Sequence, residues 1–125
     1  MAREEVMIAA VGTLLLGACH PAEIAPHDAG AAAIARGRDA ARRLGCGACH
    51  AMPDSAWPKG RVGPALDGFG DRAMIAGQLP NDPVRLAAFV RDAPALVPGT
   101  AMPAIPMRDE DARDIAAWLQ SLHEQ

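Results

Sequence analysis

Two cysteines three positions apart, followed at once by a histidine, dominate what this chain can become: Cys46-Gly47-Ala48-Cys49-His50. Thiols at this spacing share one short loop, and the adjoining imidazole travels with them. That is the minimum arrangement for attaching haem covalently, the thiols adding to two vinyl groups while His50 sits beneath the iron. Gly47 and Ala48 suit this use, because bulk between the cysteines would crowd the ring. Two other chemistries use the same cysteine spacing. Half a zinc site needs a second ligand pair, and the chain has no other Cys-x-x-Cys and no His-x-x-x-His. A redox dithiol favours a βαβ setting, whereas these flanks read as helix and turn, with no run rich in Val, Ile or Thr.

The composition agrees with a buried prosthetic group. Half of the 125 residues are hydrophobic, yet there are only two Phe, two Trp and no Tyr. Apolar content rests on Ala and Leu, and a porphyrin would supply the missing bulk. The formal net charge of −3 is mild, positive charge forms no long run, and nothing points to nucleic acid. Eleven Pro and twelve Gly imply much irregular chain, mostly between Met52 and Met107.

The third cysteine needs its own account. Val6 to Leu16 is an apolar run, too short for the roughly 20 residues of a membrane-spanning helix and right for the apolar region of a secretory signal. Leu16-Gly17-Ala18-Cys19 then resembles a bacterial lipobox, in which cleavage leaves a lipidated cysteine as first residue. One Arg against two Glu before the run departs from the usual positive start. The alternative is an ordinary secretory signal with an incidental Cys19. The expected organisation is a signal over residues 1–18, a tether over 19–30 and a domain over 31–125. His20 and His27 fall in the tether and read as solvated.

Within the domain, Ala31 to Leu44 reads as an amphipathic helix carrying Gly37, a position that suits a close helix crossing. Met52 to Phe69 is loop, punctuated by Pro53, Pro58 and Pro64. Gly70 to Leu79 suggests a short helix. Asn81-Asp82-Pro83 is a capping side chain followed by proline at the first helical position, opening a helix to about Asp92 that Pro94 ends. Leu96 to Met107 is loop again. The last helix runs from about Asp109 to His123, with acids complementing its N-terminal dipole and Ile115, Trp118, Leu119 and Leu122 on one apolar face. His123 at its end reads as exposed.

A haem-ligating histidine needs its other ring nitrogen held by an acceptor, and Val62-Gly63-Pro64-Ala65-Leu66 is a stiff way to present a carbonyl. Iron held by one His commonly takes Met or His as second axial ligand. Met74, Met102 and Met107 are the candidates, and Pro98-Gly99-Thr100-Ala101-Met102-Pro103 is the most rigid setting among them. Taken together with Trp118-Leu119 in a terminal helix, these motifs resemble class I monohaem cytochrome c over about residues 31 to 123. Arg72 to Asn81 and Phe89-Val90-Arg91-Asp92 also resemble the cytochrome c domain fused to subunit II of some bacterial haem-copper oxidases.

The resemblance implies an all-α cytochrome c fold, about four short helices with long loops around one covalent haem c. It implies thioethers at Cys46 and Cys49, His50 and Met102 as axial ligands, and the Pro64 carbonyl accepting from His50. It further implies Gly37 packed against Trp118, and Arg72, Trp57 or Lys59 paired with a haem propionate. Asp109 is expected to cap the last helix in place of the family's Ser or Thr. The function expected is one-electron transfer in a bacterial respiratory chain, at the periplasmic face of the inner membrane and held there through lipidated Cys19. A soluble periplasmic protein is the alternative location. Redox proteins are the expected donor and acceptor, a haem-copper oxidase among them. The alternatives are a subunit or haem domain of a larger redox enzyme, and a haem peroxidase or sensor.

Overall fold

Alanine and arginine carry the first helix, which runs from Pro26 to Arg43 (α1) in the computed structural model, where residues 26–124 are described. The signal and lipobox readings, Cys19 and His20 lie outside those residues. α1 begins five residues before Ala31, so the last part of the segment read as a tether is helical; Pro26 fits a first helical turn, where its missing N–H costs nothing. Gly45, left-handed at φ 78°, ends the helix, and its N–H donates to the Arg42 carbonyl at 3.2 Å.

A single 3₁₀ turn, Cys46–Ala48, follows directly. The long loop then leads to a second 3₁₀ turn, Phe69–Asp71, and to two paired strands, β1 (Met74–Ile75) and β2 (Leu79–Pro80). They are antiparallel, Met74 opposite Pro80 and Ile75 opposite Leu79, with Ala76 and Gly77 at positive φ in the turn. The helix expected over Gly70 to Leu79 is therefore absent. Arg72-Ala-Met-Ile-Ala has helical propensity, but bonds from distant residues hold it extended. The Asn81 side-chain N–H₂ donates to the Arg72 carbonyl at 2.8 Å and its backbone N–H to Ala73 at 3.0 Å. Gly70 donates to the Leu122 carbonyl at 2.7 Å, so the chain end grips the segment too.

Helix α2 (Pro83–Arg91) starts as its sequence requires: the Asp82 carboxylate accepts from the N–H groups of Val84 and Arg85, with Pro83 at the first position. Asp92 then caps a further turn, α3 (Ala93–Leu96), with Pro94 inside its first turn. Helix α4 (Asp109–Gln120) buries Ala112, Ile115, Ala116, Trp118 and Leu119 and carries three acids in its first turn. The capping position is Arg108, whose side chain makes no capping bond. Asp109 is the first helical residue and pairs with Arg91 instead of capping.

α1 and α2 both pack against α4, and this helical arrangement is the all-α architecture of cytochrome c. Ile75, Leu86 and Ile115 are its most enclosed large side chains. Where α1 crosses α4, a Cβ on Gly37 would lie 1.9 Å from the Asp114 carbonyl oxygen and 2.9 Å from the Ile115 nitrogen. The closest approach is thus to the α4 backbone one turn before Trp118, in the crossing of first and last helices that the resemblance implied. Two ion pairs bracket the crossing. Arg36 grips Asp114 with two bonds of 2.7 and 3.0 Å, and Arg43 reaches Asp111 at 2.9 Å.

Asp111 is a buried carboxylate that also accepts two bonds from Arg108, at 2.9 and 3.0 Å. Those bonds, followed by the charges of Arg108 and Arg43, hold its pKa below the usual carboxylate range. A depressed folded-state pKa stabilises above the unfolded value of about 3.9 and loses that stabilisation as pH falls through the lower folded value. Asp111→Asn is expected to lower the melting temperature at pH 7 and to flatten its further fall below pH 4. Melting curves of both proteins from pH 7 to 3 check this; parallel pH profiles would exclude Asp111 as a contributor to acid lability.

Candidate haem site

The cysteine motif occupies the 3₁₀ turn after α1 because Gly45 breaks the helix and i to i+3 bonds take over: Ala48 donates to Gly45 at 2.9 Å and Cys49 to Cys46 at 3.2 Å, and His50 then closes a wider turn onto Cys46 at 3.0 Å. Cys46 and Cys49 are both partly exposed and form no disulfide with each other. Burial pushes the Cys46 thiol pKa up, a backbone bond opposing it. Gly47 is crowded from an unexpected side. A Cβ there would meet the Pro58 ring at 3.1 Å and the Met52 sulfur at 3.3 Å, a tight fit to the chain's own loop that suits a small residue. Gly60 lies closer still, with a would-be Cβ 2.3 Å from the Cys49 carbonyl carbon, and its N–H donates to Gly47 at 3.0 Å.

His50 is held in one orientation. Its Nδ1 lies 2.7 Å from the Pro64 carbonyl oxygen. A carbonyl can only accept, so Nδ1 carries the proton and the Nε2 lone pair is left free to bind a metal. Gly63 lies against the ring: a Cβ there would stand 2.3 Å from Cε1 and 2.6 Å from Nδ1. Any side chain at 63 would push the imidazole away.

His50, Cys46 and Cys49 open onto a cavity of about 430 Å³, within the range of small-molecule and cofactor sites. Its walls are mainly apolar, with Leu66, Phe69, Ile75, Leu86, Phe89, Ile115, Trp118 and Leu119 among them. Met102 reaches the same cavity, and so do Met74 and Met107. Met102 is partly buried in a stiff loop: its N–H donates to the Thr100 hydroxyl at 3.3 Å, Thr100 donates to Val97 at 3.1 Å, and Ile105 donates to Arg91 at 2.9 Å. Met74 is 42% exposed on the hairpin. Arg72 lines the cavity, whereas Trp57 and Lys59, its alternatives as propionate partners, are exposed and are not part of the wall.

An apolar slot with two thiols, a pre-oriented imidazole, thioethers and one guanidinium matches the donors and the shape that haem requires. Among the described residues no three His, Cys, Asp or Glu side chains converge as a zinc site would require. The sequence reading missed Phe69, one of only two Phe, whose ring is buried beneath the Arg72 guanidinium at 5.2 Å. It also missed the Thr100 hydroxyl. Phe69 had a signal in its rarity; Thr100 had none without the loop geometry.

A cytochrome c family model matches residues 34–123. The chain belongs to the cytochrome c family. Haem is therefore the group this cavity serves, and transfer of electrons is the family's work. Over 88 residues this cytochrome is 39% identical to cytochrome c oxidase subunit 2 of Alkalihalophilus pseudofirmus, covering 70% of the present chain and 25% of that protein. It spans about a quarter of that relative's length, and the similarity to a cytochrome c domain of haem-copper oxidase subunit II seen in the motifs is borne out.

Proposed function

We propose that this cytochrome is a monohaem, one-electron carrier of a bacterial respiratory chain, working at the periplasmic face of the inner membrane and passing electrons to a terminal oxidase. The observation that carries the reading is the convergence of Cys46, Cys49, His50 and Met102 on one apolar cavity, with the His50 tautomer set by Pro64. Cys46 and Cys49 would hold the haem through two thioethers, since an S–H adds to a vinyl group without an oxidant. His50 would bind the iron through Nε2 and Met102 through its thioether. Arg72, on the cavity wall, would pair with a propionate. Haem bound there supplies an iron that gains or loses one electron, at a potential raised by Met/His ligation.

His50 and Met102 both sit in hydrogen-bonded segments, which would hold them as ligands in both oxidation states. Among the described residues, the cavity wall carries no carboxylate, and its titratable groups are His50, Arg72 and the two cysteines. A peroxidase or sensor would need a vacant or labile distal position with a His, Arg or Glu nearby; Met102 beside the same cavity as His50 supports a carrier. The likeness to an oxidase subunit supports an oxidase as acceptor. Among the described residues no helix is long and apolar enough to cross a membrane. Attachment would come from lipidated Cys19, where the several acyl chains of a bacterial lipoprotein hold a protein stably.

A pyridine haemochrome spectrum and an intact mass of the mature protein test both halves. The expected result is a spectrum with both vinyls saturated and a mass equal to the chain from Cys19 plus one haem plus lipid. Haem that extracts into acid acetone would sink the covalent reading. A mass starting at any residue other than Cys19, without lipid, would sink the anchor.

A further inference from the structure

Four consecutive residues of the loop beside His50 are each tied to a residue outside the loop. The Gly63 N–H donates to the Cys49 carbonyl at 2.8 Å, His50 Nδ1–H donates to Pro64 at 2.7 Å, and the Leu66 N–H donates to Ala51 at 2.9 Å. Those three ties come from Cys49, His50 and Ala51, the motif and the residue after it. The fourth, at Ala65, comes from elsewhere: its carbonyl accepts from Arg72 Nη2 at 2.6 Å.

The geometry points to Arg72 as a positioning residue whose guanidinium clamps Ala65 and so keeps the Pro64 carbonyl on His50, separately from any bond to a propionate. This rests on His50 being the proximal ligand. Arg72 is built for the task. Its own backbone is fixed by Asn81 at 2.8 Å and by its N–H bond to the Phe69 carbonyl at 3.2 Å. Its guanidinium lies over the buried Phe69 ring, 5.2 Å from the centroid, a cation–π contact for which a planar fork is better suited than an ammonium. One donor goes to Ala65, and the remaining donors of the fork stay free for the cavity.

Both roles require a cation here, but they differ in what moves when it is removed. A propionate partner acts on the haem. A clamp acts on the loop, where the Gly63 and Leu66 amides report opening. The experiment takes reduced holoprotein with Arg72→Met and Arg72→Lys, and follows amide hydrogen exchange at Gly63, Leu66 and Ile115 by NMR alongside the reduction potential. Loss of a charge-assisted, partly exposed bond is expected to speed exchange at Gly63 and Leu66 about fivefold in the Met variant, with Ile115 in α4 unchanged. The Lys variant is expected to follow it, because an ammonium cannot stack as the fork does.

Exchange at Gly63 and Leu66 within twofold of the parent would overturn the proposal, whatever happens to the potential. An equal rise at Ile115 would also overturn it, since that reports general loosening. Should the Met variant fail to retain haem, the Lys variant is read by the same two criteria. Failure of the proximal-histidine reading shows separately, as a parent spectrum that lacks low-spin His/Met character before any variant is made.

Discussion

Met102→Ala is expected to leave a folded haem protein whose reduction potential drops on the order of 0.2 V, a moderate step within the roughly 0.8 V that axial ligands can span. The loop does not depend on the thioether for its shape. Thr100 is tied to Val97, Ile105 is tied to Arg91, and the Met102 N–H bond to the Thr100 hydroxyl is made by backbone that alanine keeps. Met102 is only partly buried, so truncation removes part of the roughly 2–5 kcal/mol that a core methionine carries. On the ligation proposed above, what goes is the second axial ligand, and with it the stabilisation of reduced iron. The ferric protein should lose its weak near-infrared sulfur-to-iron band and change spin state. Met74→Ala and Met107→Ala serve as controls because both side chains also reach the cavity. If Met107→Ala abolishes the band while Met102→Ala keeps it, the distal ligand has been misassigned.

The parts of this architecture that show in the sequence are those in which neighbouring residues specify local geometry. Asn81-Asp82-Pro83 contains both a cap and a φ restriction, and α2 starts there. Gly45 marks the end of α1 for the same kind of reason. The four apolar positions from Ile115 to Leu122 predict a buried face, and Ile115, Trp118 and Leu119 are buried. The hairpin at Met74 to Pro80 fails that test. Helical propensity runs into it from Arg72, but Asn81 holds Arg72 and Ala73, and Leu122 holds Gly70, so the chain enters the hairpin extended.

Charged groups were harder still to read. Asp111 looks like one of three acids at a helix start, but the fold encloses it between Arg43 and Arg108. His123 is exposed as expected, yet its Nδ1 lies 2.6 Å from an Asp71 oxygen, and the Glu124 N–H reaches the other oxygen at 2.7 Å. Those pairings span more than fifty residues of sequence. Of the site, the motif, the Pro64 carbonyl and the methionine candidates were legible, because each is a residue type suited to one job. The second bond of Arg72, to Ala65, was not, because backbone carbonyls carry no sequence label.

Gly37→Val is expected to cost about 2 kcal/mol or more, as overpacking a close contact does. For a domain of this size that is a fall in melting temperature of roughly 10 °C. The case rests on what the new side chain would meet. The nearest atoms to a Cβ at 37 are the Asp114 carbonyl oxygen and carbon, at 1.9 and 2.4 Å. Backbone in the middle of α4 cannot rotate aside as a side chain tip can, so the two helices must separate. Separation would also stretch the Arg36–Asp114 and Arg43–Asp111 bonds that flank the crossing and shift Ile115 and Trp118, which line the cavity. Intrinsic propensity works the other way, since glycine inside a helix is about 1 kcal/mol worse than alanine, and the clash is the larger effect. Gly30, in the same helix, has nothing within 4 Å of its would-be Cβ. Gly30→Ala should therefore leave the melting temperature unchanged or raise it slightly. Thermal melts of the two variants, followed by helical ellipticity and by haem absorbance, separate these effects; a Gly37→Val protein melting with the parent would mean that α1 and α4 do not meet this closely.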